Sequence, residues 1–335
     1  MRRWIIDLSQ ENWREAPEAA DVCEALTDGQ LAAIPTETVY GLAADATNGQ
    51  ACARIFSAKG RPQFNPLISH VESVDAALKH GSFNEDAMKL AEAFWPGPLT
   101  LVVPKHPDSP ISDLATAGLQ SVALRVPSGP VMRFLAERTG RPLAAPSANV
   151  SGRVSTTTAD AVEADLGSAL SFIVDAGPCQ IGIESTIVAL TDETPRLLRP
   201  GGVPREALEA VLGRPLAAPT GQATRQDAPQ APGMLTSHYA PAAAVRLNAQ
   251  DVRAGEAYLA FGPSPLKGAE DAAATFNLSE TSDLTEAAAH LFAAMRHLDS
   301  FGATTICVQS IPETGLGEAI NDRLRRAAAP RTVGH

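Results

Sequence analysis

At 335 residues the chain is long enough for about two ordinary domains. Apolar residues make up 44% and charged residues 19%, enough for a core in each domain, which excludes intrinsic disorder and collagen-like repeats. A formal net charge of −11 argues against coating nucleic acid or anionic membrane through counterion release, so any anion chemistry must sit in a local basic pocket.

The N-terminal stretch, MRRWIIDLSQENW, holds an apolar run too short for a signal-peptide core, and no later apolar stretch reaches membrane-spanning length. Cys23, Cys52, Cys179 and Cys307 never form C-x-x-C, which reads as reduced structural thiols in a cytoplasmic protein. Apolar runs at Leu31–Ile34, Pro98–Val103, Ser121–Val126, Phe172–Val174 and Ser185–Leu190 predict strands. Helical periodicity falls around Ala51–Ala58 and Glu85–Phe94. The order is not a clean βαβ alternation, so residues 1–212 predict an α/β domain on a twisted mixed sheet with helices.

Residues 213–236 are rich in Pro, Ala, Gln and Gly and have no apolar period, the signature of an extended linker or a lid. Residues 237–335 alternate again. Strand-like runs at Ala243–Leu247, Ala257–Phe261 and Thr304–Gln309 accompany a helical face through Leu284, Ala287, Leu291, Met295 and Leu298, and a last helix spans Leu316–Ala328. The expectation is a smaller three-layer, Rossmann-like α/β domain with a largely parallel sheet.

No P-loop, complete dinucleotide fingerprint, zincin motif, nucleophile elbow or paired Cys/His metal spacing occurs. The chemistry-bearing residues stand instead where strands end or turn. In Pro35-Thr36-Glu37-Thr38-Val39-Tyr40-Gly41, two hydroxyls flank a carboxylate; either threonine suits a helix cap or a polar site. Lys59 and Arg61 leave a helix end at Gly60 on a loop stiffened by Pro62 and Pro66 and carrying Asn65. They either complement the helix dipole or form a preorganised anion site. In Leu67–Val71, Ile68 and His70 share one face. In Ser121–Val126, Arg125 shares the polar face with Ser121 and Ala123, either as an edge-strand guard or as a grip for a carboxylate. Ala145-Pro146-Ser147-Ala148-Asn149, followed by Ser155, offers small side chains and backbone N–H groups suited to a phosphate, or leads into a capped helix at Thr158–Leu166. Arg199 ends a strand before Pro200-Gly201-Gly202.

Taken in order, PTETVYGL, K-G-R-P with N-P-L-I-S-H, W-P-G-P-L-T, A-L-R-V-P, P-S-A-N-x-S-G, E-S-T-I-V and L-R-P-G-G resemble the YrdC-like domain of L-threonylcarbamoyladenylate synthases. S-H-Y-A-P at residues 237–241, with an α/β domain behind it, resembles the long two-domain form. The resemblance implies a twisted YrdC-like sheet and a nucleotidyltransferase that joins L-threonine, bicarbonate and ATP into L-threonylcarbamoyl-AMP, releasing pyrophosphate, with Mg2+ accompanying ATP. It implies that a separate tRNA threonylcarbamoyltransferase complex takes the product and that tRNA itself is not bound tightly. Carried over by motif, threonine falls on Thr38, His70, Arg125, Ser185 and the backbone of Ala145. ATP falls on Lys59, Arg61, Asn65, Ser121, Ser147, Asn149, Ser155 and Arg199, with Tyr239 reaching in from the linker. Lys59, Arg61 and Arg199 are the expected catalytic cations, and no metal ligand set comes from the protein alone. Two alternatives from other classes are a double-stranded RNA binder and a carbamoyltransferase-related protein. Residues 1–202 hold 16 Lys and Arg against 24 Asp and Glu, which speaks against the first, and the missing paired cysteines speak against the second.

Overall fold

The computed structural model describes residues 1–218 and 238–330. Ten strands form one mixed sheet, in the spatial order Arg2–Ile5, Phe172–Asp175, Ala32–Ile34, Gly41–Asp45, Leu143–Ala144, Ile68–His70, Ser121–Arg125, Leu99–Pro104, Thr186–Ala189 and Arg196–Arg199. Parallel pairs (Ile68–His70 on Ser121–Arg125) are mixed with antiparallel ones (Leu99–Pro104 on Ser121–Arg125), as the broken βαβ order predicts. The expected strands are present with ends displaced by a residue or so. The short Arg2–Ile5, Gly41–Asp45 and Ala274–Asn277 were not signalled by an apolar run, because their identity depends on pairing rather than on composition.

Both faces of this sheet are covered. Helices Pro17–Thr27 and Pro130–Thr139 bury Val22, Leu26, Met132 and Leu135 on one side. Helices Gly49–Lys59, Glu85–Phe94, Ala159–Leu166 and Arg205–Leu212 bury Ile55, Leu90, Val162 and Leu208 on the other. At Gly60 the first of these ends in the left-handed region (φ 59), which glycine adopts without steric penalty. That stop aims Lys59 and Arg61 away from solvent. The chain remains packed on this unit past the expected boundary: Leu216 is buried and Ala217 bridges to Arg196, so the paired backbone runs to Ala217, inside the stretch read as linker. The rest of that stretch, and Ser237 of the S-H-Y-A-P motif, lie outside the described residues.

The second sheet is wholly parallel, in the order Ala244–Arg246, Thr305–Val308, Ala257–Ala260 and Ala274–Asn277. Helices Leu284–Asp299 and Leu316–Ala328 pack on the face that carries Leu259, Ile306 and Val308. The opposite face, with Tyr258 and Cys307, is closed by loops and a single 3-10 turn at Ala269–Asp271, so the third layer is loop rather than helix among the described residues. Val39, Val154 and Ile183 of the first unit are buried within the second unit's core. A Cβ added at Gly182 would stand 2.4 Å from the carbonyl oxygen of Ala289, which shows how closely the two units touch.

Candidate active site

The strand register assembles the site. His70 pairs with Arg125 on neighbouring parallel strands, which sets their side chains next to each other on one face. Ser121–Arg125 is interior to the sheet, so Arg125 is not an edge-strand guard. Thr36 and Thr38 cap no helix; they lie in the bend between two antiparallel strands. The Thr36 hydroxyl donates to the Val39 carbonyl at 2.6 Å and shares a 2.8 Å hydrogen bond with the Thr38 hydroxyl, which fixes the loop from within.

Arg125 is almost fully buried and held on three sides. Its Nε donates to the Gly97 carbonyl at 3.2 Å, one terminal nitrogen to the Thr38 hydroxyl at 3.0 Å, and the other to Glu37 at 2.7 Å. A guanidinium has five N–H donors, so two remain for a ligand. Burial alone would raise the Glu37 carboxyl, but the Arg125 guanidinium and the Ser128 backbone N–H hold it below its ordinary value. Sequence reasoning passed over Glu37 as a partner; an acid between two threonines in an apolar strand exit was the signal.

Across the cleft, Arg199 donates to the Ser185 carbonyl at 2.8 and 3.1 Å and to its hydroxyl at 3.2 Å. The Ser185 hydroxyl in turn meets Thr100 at 2.8 Å. Arg61 donates to the carbonyls of Asn65 and Pro66, and Lys59 to those of Ser147 and Asn149, the latter two at 2.5 Å. Neither Lys59 nor Arg61 has an ion pair among the described residues. Burial, with Arg199 nearby, lowers Arg61 to about 9, and burial beside Arg61 depresses Lys59. Cations held only by carbonyl dipoles at such cost are poised for an anion that supplies the missing charge.

Thr38, Arg61, His70, Arg125, Ala145, Ser147, Ser185, Arg199 and Tyr239 line one cleft, together with His238 and Glu184, which the sequence reading had not assigned. Lys59, Asn65 and Asn149 stand directly behind it; the Asn149 amide clamps the carbonyls of Val150 and Arg153. Ser155 also lies behind the wall, its hydroxyl donating to Glu184 at 2.6 Å. Ser121 is not brought in: it starts the strand that Arg125 ends and pairs with Pro104, half-buried outside this wall. The expected cap belongs to Thr158, which receives the Ala161 N–H, so the helix and the small-residue loop before it use different residues. Tyr239 is buried with a positive φ of 60°, its ring stacked 5.4 Å from Phe292 and lying against His238 at 4.2 Å.

The cleft encloses about 40 Å3, room for a few waters where ligand sites usually offer about 300–1,000 Å3. His70 and His238 are both lowered to about 3 by burial, with Arg125 adding to the effect at His70. Both are neutral in the folded protein down to that value, whereas the unfolded chain protonates them near 6.5. Stability is therefore expected to fall as pH drops below about 6.5, by about 1.4 kcal/mol per pH unit for each proton taken up only by the unfolded chain. The depressed Glu37 and Glu184 lose their contribution only as pH falls below about 4.5, so they do not shape the upper part of this window. Urea titrations between pH 6.5 and 5 should show the slope, and His238→Gln should reduce it; an unchanged slope would place the proton uptake elsewhere.

Buried arginines facing small hydroxyls in a shut cleft define an α/β protein that handles small anionic substrates. A family model described as telomere recombination matches residues 24–201, and one described as the threonylcarbamoyl-AMP synthase C-terminal domain matches residues 203–329. The threonylcarbamoyl-AMP synthase of Bacillus subtilis is 38% identical over 99% of both chains. The crystal structure of Pyrococcus abyssi Sua5 complexed with L-threonine superposes with a TM-score of 0.87 at 37% identity, covering 98% of both chains. A shorter Mycobacterium tuberculosis relative, 41% identical, covers 56% of this chain and 86% of its own. The chain belongs to the threonylcarbamoyl-AMP synthase family.

Proposed function

We propose that this protein synthesises L-threonylcarbamoyl-AMP from L-threonine, bicarbonate and ATP with release of pyrophosphate, in the route to threonylcarbamoyladenosine in tRNA. The observation that carries the reading is Arg125, fixed by Glu37 and Thr38 with two N–H donors left over, facing Arg61 and Arg199 across one cleft. Arg125 grips the threonine carboxylate, and His70, Ser185 and the Ala145 backbone complete that half. The threonine amine combines with bicarbonate to give a carbamate and water. A carbamate oxygen then attacks the α-phosphorus of ATP, and the bond to pyrophosphate breaks as the new P–O bond forms. Lys59, Arg61 and Arg199 stabilise the charge on the phosphates, so catalysis rests on positioning and electrostatics without a covalent enzyme intermediate.

Mg2+ would arrive on the triphosphate. Among the described residues no group of three His, Cys, Asp or Glu can hold a metal, and Glu37 and Glu184 are engaged by arginines, so no step is assigned to the ion. We read the catalytic unit, expected to end at 212, as running to 217, with the remainder of 213–236 as a lid-like connector and 237–335 as the second unit. The product passes to a separate tRNA-modifying transferase in the cytoplasm. A duplex RNA is a poor fit for cations that face a closed cleft rather than the surface.

Incubation with labelled threonine, bicarbonate and ATP tests the reaction: threonylcarbamoyl-AMP and pyrophosphate should appear together and only when all three are present. Pyrophosphate release independent of threonine would refute it. Lys59→Ala and Arg61→Ala are each expected to weaken ATP binding at least tenfold and leave threonine binding within about twofold. Thermal melts with each ligand separate the two, and equal loss of both stabilisations would assign these cations a structural role.

A further inference from the structure

Arg323 is the largest wholly buried side chain of the molecule's described part, and it belongs to the second unit. Its helix, Leu316–Ala328, presents Ala319, Ile320, Leu324 and Ala327 as an apolar stripe, and Arg323 stands in the middle of that stripe. A guanidinium there is costly unless it is paired and hydrogen-bonded. Apart from its helix neighbour Asp322, at 3.3 Å, its polar partners belong to the first unit: it donates to Glu184 at 3.1 Å and to the carbonyl of Pro200, and it lies 5.6 Å from the centre of the Tyr239 ring in the cleft wall. Glu184 is itself buried in the cleft wall, and its other oxygen accepts from the Ser155 hydroxyl. A second arginine of the same unit, Arg296, donates to the backbone carbonyls of Val154 and Ser155 while paired with Asp165 at 2.7 Å.

We infer that Arg323 and Arg296 are positioning residues for the nucleotide half of the site, Arg323 by orienting Glu184 and through it the Ser155 hydroxyl, and Arg296 by fixing the Ser155 backbone. Ser155 is thus held at its main chain directly by Arg296 and at its side chain through Glu184, which Arg323 holds in turn. The Pro200 carbonyl follows Arg199 directly, so Arg323 also restrains the strand end that places that cation. Glu184 has one oxygen on each partner. Without Arg323 it would keep its charge only at high cost, and it would turn toward the cleft's own arginines, Arg199 first. On this account the second unit completes the nucleotide site and leaves the threonine half, built around Arg125 and Glu37, untouched. A third ion pair between the units, Arg205 with Glu318 at 2.5 Å, is part-exposed and touches nothing in the cleft, which makes it the natural control.

The inference rests on the functional reading above, because it takes the cleft to bind ATP. Calorimetry on the full-length protein with ATP and threonine separately is the test. Arg323→Met should weaken ATP binding at least tenfold and leave threonine binding within twofold. Arg323→Lys should recover part of the loss, since an ammonium keeps the charge but cannot reach Glu184 and Pro200 together. Arg296→Lys should weaken ATP in the same direction, and Glu318→Gln should change neither affinity. The double variant Glu184→Gln/Arg323→Met leaves neither member of this pair as a lone buried charge, so it provides a folded protein if Arg323→Met does not, and it too should lose ATP affinity. Equal weakening of both ligands, or ATP affinities in the variants that match the wild type, would overturn the inference alone. Wild-type protein that binds no ATP would instead refute the functional reading and, with it, this role.

Discussion

Arg125→Ala is expected to lower threonine affinity by about 2–5 kcal/mol, roughly thirty-fold to several thousand-fold, and to destabilise the fold at the same time. The first effect follows from losing the two charged hydrogen bonds that the proposed grip makes to the carboxylate. The second follows from Glu37, which is as buried as its partner and would be left without a cation, a situation that typically costs about 3–5 kcal/mol. A simple loss of activity in this variant therefore does not separate binding from folding. Glu37→Gln/Arg125→Met does, because it removes both charges and conserves most of the volume. That variant should melt closer to wild type than Arg125→Ala while still failing to bind threonine. Glu37→Gln alone should retain weakened threonine binding, since Thr38 and the Gly97 carbonyl continue to hold the guanidinium. Unchanged threonine affinity by calorimetry in the double variant would remove Arg125 from the substrate grip.

Why Arg125 was legible while its partner was not is a matter of periodicity. An arginine on the small-residue face of an alternating strand violates the pattern visibly, and the strand's central place in the sheet turns that violation into a site. Gly60, Pro62 and Pro66 likewise announced where Lys59 and Arg61 leave their helix, because the αL stop and the stiff loop are local properties. Glu37 and Glu184 carry no such local mark: each is defined by a cation distant in the chain, Arg125 and Arg323 respectively. Arg323 did leave a trace, one charge inside the apolar stripe of the last helix. A surface helix can place an arginine at a stripe's margin, so only the packing of one unit on the other reveals its burial. Ser121 fails for the opposite reason. Sharing a strand face with Arg125 does not put two residues in the same pocket when their positions are about 13 Å apart along the extended chain. The loop-built third layer of the second unit was equally invisible, since a parallel strand run is apolar whatever covers it.

A chain ending at residue 218 is expected to lose at least 99% of threonylcarbamoyl-AMP synthesis while keeping measurable threonine binding. The proposed threonine half of the cleft, from Thr38 and His70 to Arg125 and Ser185, lies entirely in the first unit and is held by that unit's own hydrogen bonds. The nucleotide half is not. Truncation removes His238 and Tyr239 from the cleft wall, strips Glu184 of Arg323, and frees the Ser155 backbone from Arg296. It also exposes Val39, Val154 and Ile183, which are buried in the second unit's core, so some loss of stability and solubility is expected alongside. The shorter Mycobacterium tuberculosis relative shows that a chain of about the first unit's length exists on its own within the family. Here the second unit's Arg296 and Arg323 hold Ser155 and Glu184 of the same unit, so on the inference above its truncated form should not behave as a self-sufficient protein. Pyrophosphate release measured against threonine and ATP concentration, beside calorimetry with threonine alone, distinguishes the outcomes. Synthesis at the full-length rate would mean that the second unit and the connector are passive. Loss of both ligands together, with a folded circular-dichroism spectrum, would mean that the two halves of the cleft are built as one, because Glu184 and Ser185 are adjacent and the disturbance passed from one to the other.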